Sequence, residues 1–218
     1  MRPRRDSQRT LAKGLRGCRV PGASKALGRL TRNMSDVKLN WSDEAVAELE
    51  KLKTHYPNLK ACILPALWIS QREYGGNLTD DAIIEVAHRL KRTPAEVQGV
   101  ATFYSMYNTG HKVGKHMIEI CTCLSCALCG GYRVRDLFEK KLGIKVGETT
   151  PDGQITLHEV ECLNACDRAP VVQVGDQYHG PIDEAYIDRL IAELKTKQES
   201  TVTQLANSIV KAQIGARE

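Results

Sequence analysis

The chain has 218 residues, 42% hydrophobic, 26% charged and only 5% aromatic, an ordinary composition for one or two globular domains that excludes a largely disordered polymer. Its formal charge of +5 hints at nucleic acid, yet residues 1–33 carry ten Lys/Arg against the single acid Asp6 and leave residues 34–218 at −4, so the basic excess sits in a leader and a nucleic-acid partner is not expected. The longest apolar stretch, Ala61 to Ile69, is interrupted by Pro65 and falls far short of the ~20 residues that cross a bilayer, so no direct membrane span is expected either.

Residues 1–41 read as a basic, disordered leader in which Arg, Ser and Gly recur without a hydrophobic period. The leader lacks the apolar segment of a secretory signal. Being rich in Arg and poor in acid, it suits a mitochondrial presequence or translated sequence upstream of a start at Met34-Ser-Asp, and the second is preferred. Eight cysteines in a chain without a secretory signal point to metal ligands or redox thiols before disulfides.

From Trp41 the pattern becomes helical. Ser42 is a good N-cap, Trp41 and Val46 can form a hydrophobic staple around it, and Leu49 and Leu52 continue the stripe to an end near His55. A second helix is expected from Leu59 to Tyr74, with Ile63, Leu64, Leu67 and Trp68 inward, a kink at Pro65 and a stop at Gly75-Gly76. Thr79 caps a third helix carrying Ile83, Ile84, Ala87 and Leu90. The run Thr93-Pro94-Ala95-Glu96 starts a fourth, with N-cap threonine, proline at the first helical position and a capping-box glutamate. Residues 42–108 thus predict a four-helix domain.

After Asn108-Thr109-Gly110 the hydrophobic period shifts toward two, beginning with His116 to Ile120. A domain over residues 115–195 is expected, with a helix over Tyr132 to Leu142, a strand over Ile155 to Val160 and a hairpin of Val171 to Val174 and Gln177 to His179 around Gly175-Asp176. A last helix runs from Asp183 to Lys195. The order β-α-β-β-α gives a compact sandwich, and the fold class is α+β or α/β. Residues 197–218 read as a weakly amphipathic polar tail with helical potential.

Six cysteines gather near predicted strand ends, in Cys121-Thr-Cys123-Leu-Ser-Cys126-Ala-Leu-Cys129 and Cys162-Leu-Asn-Ala-Cys166. A [2Fe-2S] cluster needs four thiolates, two on each iron, and Cys121-x4-Cys126 with Cys162-x3-Cys166 supplies two such pairs. The nested Cys123-x2-Cys126 and Cys126-x2-Cys129 spacings also suit zinc or a thioredoxin-type dithiol. Cys62, beside Ile63 and Leu64, reads as a small core hydrophobe, and Cys18 has no evident partner. The histidines His55, His88, His111, His116, His158 and His179 show no ligand spacing, and Met106 and Tyr107 read as core or interdomain packing.

The run Lys141-Leu-Gly-Ile-Lys-Val-Gly-Glu-Thr-Thr-Pro-Asp-Gly153, then Val160-Glu-Cys-Leu-Asn-Ala-Cys-Asp-Arg-Ala-Pro170, and upstream Val100-Ala-Thr-Phe-Tyr-Ser-Met-Tyr107 closely resemble the thioredoxin-like [2Fe-2S] subunits of respiratory NADH:quinone oxidoreductase (complex I). The resemblance spans about residues 42–195. It implies a helical N-terminal domain followed by a thioredoxin-like [2Fe-2S] ferredoxin domain, docked against a flavin-bearing, NADH-oxidising subunit and other peripheral-arm subunits. It places the cluster ligands on Cys121, Cys126, Cys162 and Cys166, with no catalytic residue on this chain and with FMN and NADH on the partner. The location implied is peripheral, at the cytoplasmic face of a bacterial inner membrane or, alternatively, the matrix side of the mitochondrial inner membrane. Cys123 and Cys129 depart from the family pattern and leave the choice of ligand within the first loop open. Two other settings are compatible with the residues: the same module in a soluble NAD-linked hydrogenase or formate dehydrogenase, and a zinc-stabilised interaction protein without redox activity.

Overall fold

The computed structural model describes residues 39–110 and 112–215; the expected leader up to residue 38, with Cys18 and Met34, and His111 lie outside them. Among the described residues, four helices precede the first strand. The first, α1 (Asp43–His55), is capped as its sequence requires, with Ser42 Oγ accepting from the Ala45 N–H at 3.2 Å, acids in its first turn and Lys53 and His55 in its last. It is followed by α2 (Ile63–Glu73), α3 (Asp80–Leu90), capped by Thr79, and α4 (Pro94–Phe103), where Thr93 and Glu96 form the expected reciprocal capping box.

Two expectations need correction here. Helix α2 starts at Ile63 and not at Leu59, so Pro65 falls in its first turn, where the missing N–H has no helical partner to lose, and no kink is required. The last residues of the expected leader are also held by the fold: Trp41 is buried, and the amides of Asn40 and Trp41 donate to the Glu85 carboxylate at 3.0 and 3.2 Å. That carboxylate is fully buried and also accepts from Tyr74 Oη at 2.8 Å and from both Nε and Nη2 of Arg89, at 2.9 and 2.7 Å. Such a charge is tolerated inside only because every neighbour donates to it.

Beyond residue 115 come β1 (His116–Cys121), the short α5 (Leu124–Leu128), α6 (Gly131–Leu142), β2 (Ile155–Val160), a 3-10 turn (Cys166–Arg168), β3 (Val172–Val174), β4 (Gln177–His179) and α7 (Glu184–Thr196). The strands form one mixed sheet in the order β2-β1-β3-β4. β1 and β2 run parallel, and the other neighbours are antiparallel. One sheet face buries Ile118, Ile120, Ile155, Leu157, Val172 and Val174 against Phe138 and Val134 of α6 and Ile187, Leu190 and Leu194 of α7. The molecule is thus mixed α/β.

The segment expected as a polar tail carries α8 (Thr201–Gly215), which folds back on α2 and buries Val202, Ala206 and Val210. Its contacts reach both halves of the chain. Arg72 of α2 binds Asn207 Oδ1 at 3.2 Å as well as Glu48 of α1 at 2.7 Å, Ser208 Oγ donates to Asp176 in the β3–β4 turn at 3.1 Å, and just ahead of the helix Ser200 Oγ donates to the Lys115 carbonyl at 2.8 Å.

Candidate metal centre

The parallel pairing of β1 and β2 brings the two cysteine segments together. The strands are in register from His116 opposite Ile155 to Cys121 opposite Val160, so both chains leave the sheet at the same end. Cys121 closes β1, its N–H donating to the Val171 carbonyl at 3.2 Å, and Thr122 N–H continues the ladder to Val160 O at 3.3 Å. Thr122 Oγ1 ties the first loop to Glu159 at 2.8 Å. Two residues after Val160 comes Cys162, and Cys166 opens the 3-10 turn.

Both loops are pressed against neighbouring backbone. A Cβ on Gly131, the first residue of α6, would stand 2.9 Å from the carbonyl oxygens of Cys121 and Cys126, and one on Gly180 would overlap the Arg168 carbonyl. Only glycine admits these approaches. Asn164 takes the left-handed conformation (φ 54°), and its N–H points at Cys162 Sγ, 3.3 Å away.

Cys121 and Cys126 are buried beside Ala165 and Val171, with Cys123 half-buried against them, whereas Cys162 and Cys166 are exposed. Cys121 and Cys126 share this buried corner, and Cys121, Cys166 and the Val171 backbone are the groups that act on the Cys126 thiol. Burial, followed by the neighbouring sulfurs, pushes the Cys126 thiol up to about 11. At Cys123 the Leu124 N–H favours the thiolate most strongly of any one neighbour, but the nearby sulfurs and burial together outweigh it and the net shift is upward. A metal reverses such a preference by displacing the protons.

The donor set suits a cluster spread over two irons: four thiols on two loops, two buried and two at the surface, with backbone N–H groups aimed at sulfur. Among the described residues no three His, Cys, Asp or Glu side chains converge as the ligands of a single ion. Two histidines are engaged elsewhere: His158 lies 4.0 Å from Glu119, and His179 Nδ1 lies 3.0 Å from Tyr186 Oη.

Of the remaining cysteines, Cys129 ends α5 and is exposed in a crevice with Arg133, Leu137, Pro170 and Ile182. Cys62 is buried at the start of α2, with its thiol pushed up by burial. Tyr107 packs on Trp68 and donates to the Leu64 carbonyl at 2.9 Å, as core packing requires, but Met106 is exposed. Sequence reasoning did not find α5, which sets Leu124 and Leu128 out into solvent between the cysteines, nor the two glycine contacts. Gly130-Gly131 directly after Cys129, and Gly180-Pro181, were the signals that could have shown them.

A family model described as "Thioredoxin-like [2Fe-2S] ferredoxin" matches residues 49–195. The chain is 41% identical over 159 residues to an NADH-quinone oxidoreductase subunit of Rhizobium meliloti, covering 73% of this chain and 94% of that protein. It is 45% identical over 143 residues to the corresponding NADH-quinone oxidoreductase subunit of Rickettsia felis, covering 65% and 85%. To the mitochondrial NADH dehydrogenase [ubiquinone] flavoprotein 2 of Dictyostelium discoideum it is 32% identical over 172 residues, covering 78% and 69%. Among solved structures, an NAD+-reducing [NiFe]-hydrogenase in the air-oxidized state superposes with a TM-score of 0.53 over 60% of this chain and 23% of that one, at 20% identity, a likeness of fold alone.

Proposed function

The chain belongs to the thioredoxin-like [2Fe-2S] ferredoxin family, and from that premise we propose that it is the electron-transfer subunit of an NADH:quinone oxidoreductase (complex I), with one [2Fe-2S] cluster held by Cys121, Cys126, Cys162 and Cys166. The observation that carries the assignment is the delivery of Cys121 and Cys162 by the adjacent ends of two parallel strands, with Cys126 and Cys166 close behind them. Bound there, the cluster supplies one-electron transfer at iron. The chain's own residues do the rest. Cys121 and Cys126 anchor the buried side, Cys162 and Cys166 leave the other side open to a partner, and the Asn164 and Val171 amides favour charge on sulfur.

Hydride chemistry belongs to FMN and NADH on a neighbouring subunit, and this chain needs no acid, base or nucleophile of its own. The exposed Leu124 and Leu128 give the sulfur-bearing end an apolar rim suited to docking that subunit. No helix among the described residues is long and apolar enough to cross a membrane; the position proposed is in the peripheral arm, at the cytoplasmic face of a bacterial inner membrane or, alternatively, the matrix side of the mitochondrial one. The relatives' names favour NADH:quinone oxidoreductase over a soluble NAD-linked hydrogenase or formate dehydrogenase.

Anaerobic purification of the intact assembly tests the reading. The expected result is a red-brown protein with about two irons and two sulfides per chain and a reduced S = 1/2 signal, co-purifying with a flavin-bearing subunit. Alanine at Cys121, Cys126 or Cys166 should empty the site while circular dichroism stays native. A colourless protein with stoichiometric zinc would overturn the assignment.

A further inference from the structure

The apolar rows of the sheet end on polar side chains at the cysteine loops. On the face that packs on α6 and α7, β1 presents Ile118 and Ile120, and β2 presents Ile155 and Leu157. Strand alternation puts Thr122 next in the first row and Glu159 next in the second. There the two side chains bond to one another, Thr122 Oγ1 donating to Glu159 Oε1 at 2.8 Å. Ile120 stands opposite Glu159 in the register, and the Thr122 N–H reaches the Val160 carbonyl at 3.3 Å. The side-chain bond is thus a second tie at the point where the ladder runs out.

Helix α6 braces this pair. Arg135 Nη1 stands 3.5 Å from Glu159 Oε2, and the guanidinium is itself held by Asp136 at 2.9 Å and by the Tyr132 ring, whose centre lies 5.1 Å away. The same helix begins at Gly131, against the Cys121 and Cys126 carbonyls. Glu159 therefore links three parts of the site: the strand that delivers Cys162, the loop between Cys121 and Cys126, and α6. With 29% and 32% of their side-chain surfaces exposed, Arg135 and Glu159 form an ion pair that adds little to stability. What the pair contributes is geometry and charge.

We propose that Glu159 is a positioning residue for the cluster: through Thr122 it fixes the loop of Cys121 and Cys126 against the strand that delivers Cys162, and its carboxylate, partly offset by Arg135, opposes reduction. The proposal rests on the [2Fe-2S] reading and deepens it. Reduction adds an electron to a centre already bound by four thiolates, so a neighbouring carboxylate disfavours it and a guanidinium favours it. A unit charge at the partly screened edge of such a site changes the reduced-to-oxidised ratio by about threefold to tenfold, and tenfold is about 59 mV for one electron.

The test uses the full chain with Glu159→Gln, Glu159→Ala, Thr122→Val and Arg135→Gln. Each is reconstituted anaerobically with ferrous iron and sulfide, checked by circular dichroism and iron content, and titrated against redox mediators with electron paramagnetic resonance as the readout. Glu159→Gln keeps an acceptor for Thr122 and removes the charge. Its resonance should stay in place, while the reduced-to-oxidised ratio at a fixed potential rises about threefold to tenfold. Arg135→Gln should move that ratio the opposite way. Glu159→Ala and Thr122→Val break the tie, and their resonances should shift or broaden; if Glu159→Ala does not fold, Glu159→Gln and Thr122→Val decide. The proposal is overturned by an unmoved ratio in Glu159→Gln, by a ratio that does not fall in Arg135→Gln, or by an unaltered resonance in Thr122→Val. A colourless, zinc-bearing unaltered protein would instead strike the [2Fe-2S] assignment itself, and the proposal with it.

Discussion

In the helical half, buried side chains from α1 to α4 and α8 interlock around Leu49, Leu67 and Ile83, whereas at the cysteine end only Cys121, Cys126, Ala165 and Val171 are buried and most of the site is loop. Apolar packing suffices to order the first region. The second depends on backbone fixed elsewhere, by the β1–β2 register and by glycine contacts at Gly131 and Gly180. Stability and ligand geometry are therefore separable, and substitutions in one region should leave the other's signal in place.

The largest effect expected from breaking this division is on stability alone. Ending the chain at Lys197 removes α8 and uncovers the surfaces that meet Val202, Ala206 and Val210. At roughly 1.5–3 kcal/mol for each large aliphatic side chain, the loss should be on the order of 5 kcal/mol. It would be read as a lower urea midpoint, with iron content per folded chain unchanged. Next comes Glu85→Ala, which strands Arg89 and the amides of Asn40 and Trp41. Removing one partner of a buried pair costs about 3–5 kcal/mol, again measured by denaturant unfolding. Loss of the cluster signal in still-folded protein, in either variant, would show that the two regions are coupled.

His116 sharpens the comparison on the pH axis. It is fully buried where β1 begins, neither ring nitrogen makes a well-formed hydrogen bond, and Lys115 and Lys197 are its charged neighbours. Burial holds its pKa below the ordinary value; the Lys197 backbone near the ring offsets part of that, and the two like charges add to it. The unfolded chain thus takes up the proton first. The stability is fully present above the unfolded value of about 6.5 and is lost as pH falls below it, until the folded-state value is passed. His116→Leu should flatten part of that slope while changing stability at neutral pH by less than about 1 kcal/mol. Some slope should persist, because burial depresses His179 in the same direction.

How much of this was legible depended on how local the signal was. Helix starts at Ser42, Thr79 and Thr93 could be read because an N-cap is decided within four residues, and the capping contacts are all present. The strands followed from their alternation. Helix α8 was obscured because its buried face is built of small residues, Val202, Ala206 and Val210, among Thr, Gln, Asn and Ser, and its value lies in what α2 presents to it. At the candidate site the cysteine spacing was plain. The packing of Cys123 against Cys121 and Cys126 was not, since it depends on the turn into the short α5.

The smallest effect concerns Cys129, and it tests whether the cysteine end is as selective as its geometry implies. Cys129 sits three residues after Cys126, so helical periodicity alone would place the two on one face and make Cys129 a natural substitute. The short α5 ends first: Cys129 is its C-cap, exposed beside Pro170 and Ile182, while Cys126 is turned into the buried corner against Cys121. Reaching an iron from there would require unwinding α5 and moving the Gly130-Gly131 backbone, which has no room to shift because Gly131 lies against the Cys121 and Cys126 carbonyls. Cys129→Ser should therefore change stability by less than about 0.5 kcal/mol, as at other exposed positions, and leave absorption and resonance spectra unaltered. By the same geometry Cys129 should fail to rescue Cys126→Ala, which loses its iron whether residue 129 is cysteine or serine. Retention of iron by Cys126→Ala, abolished by the added Cys129→Ser, would show that the first loop rearranges more freely than its packing allows.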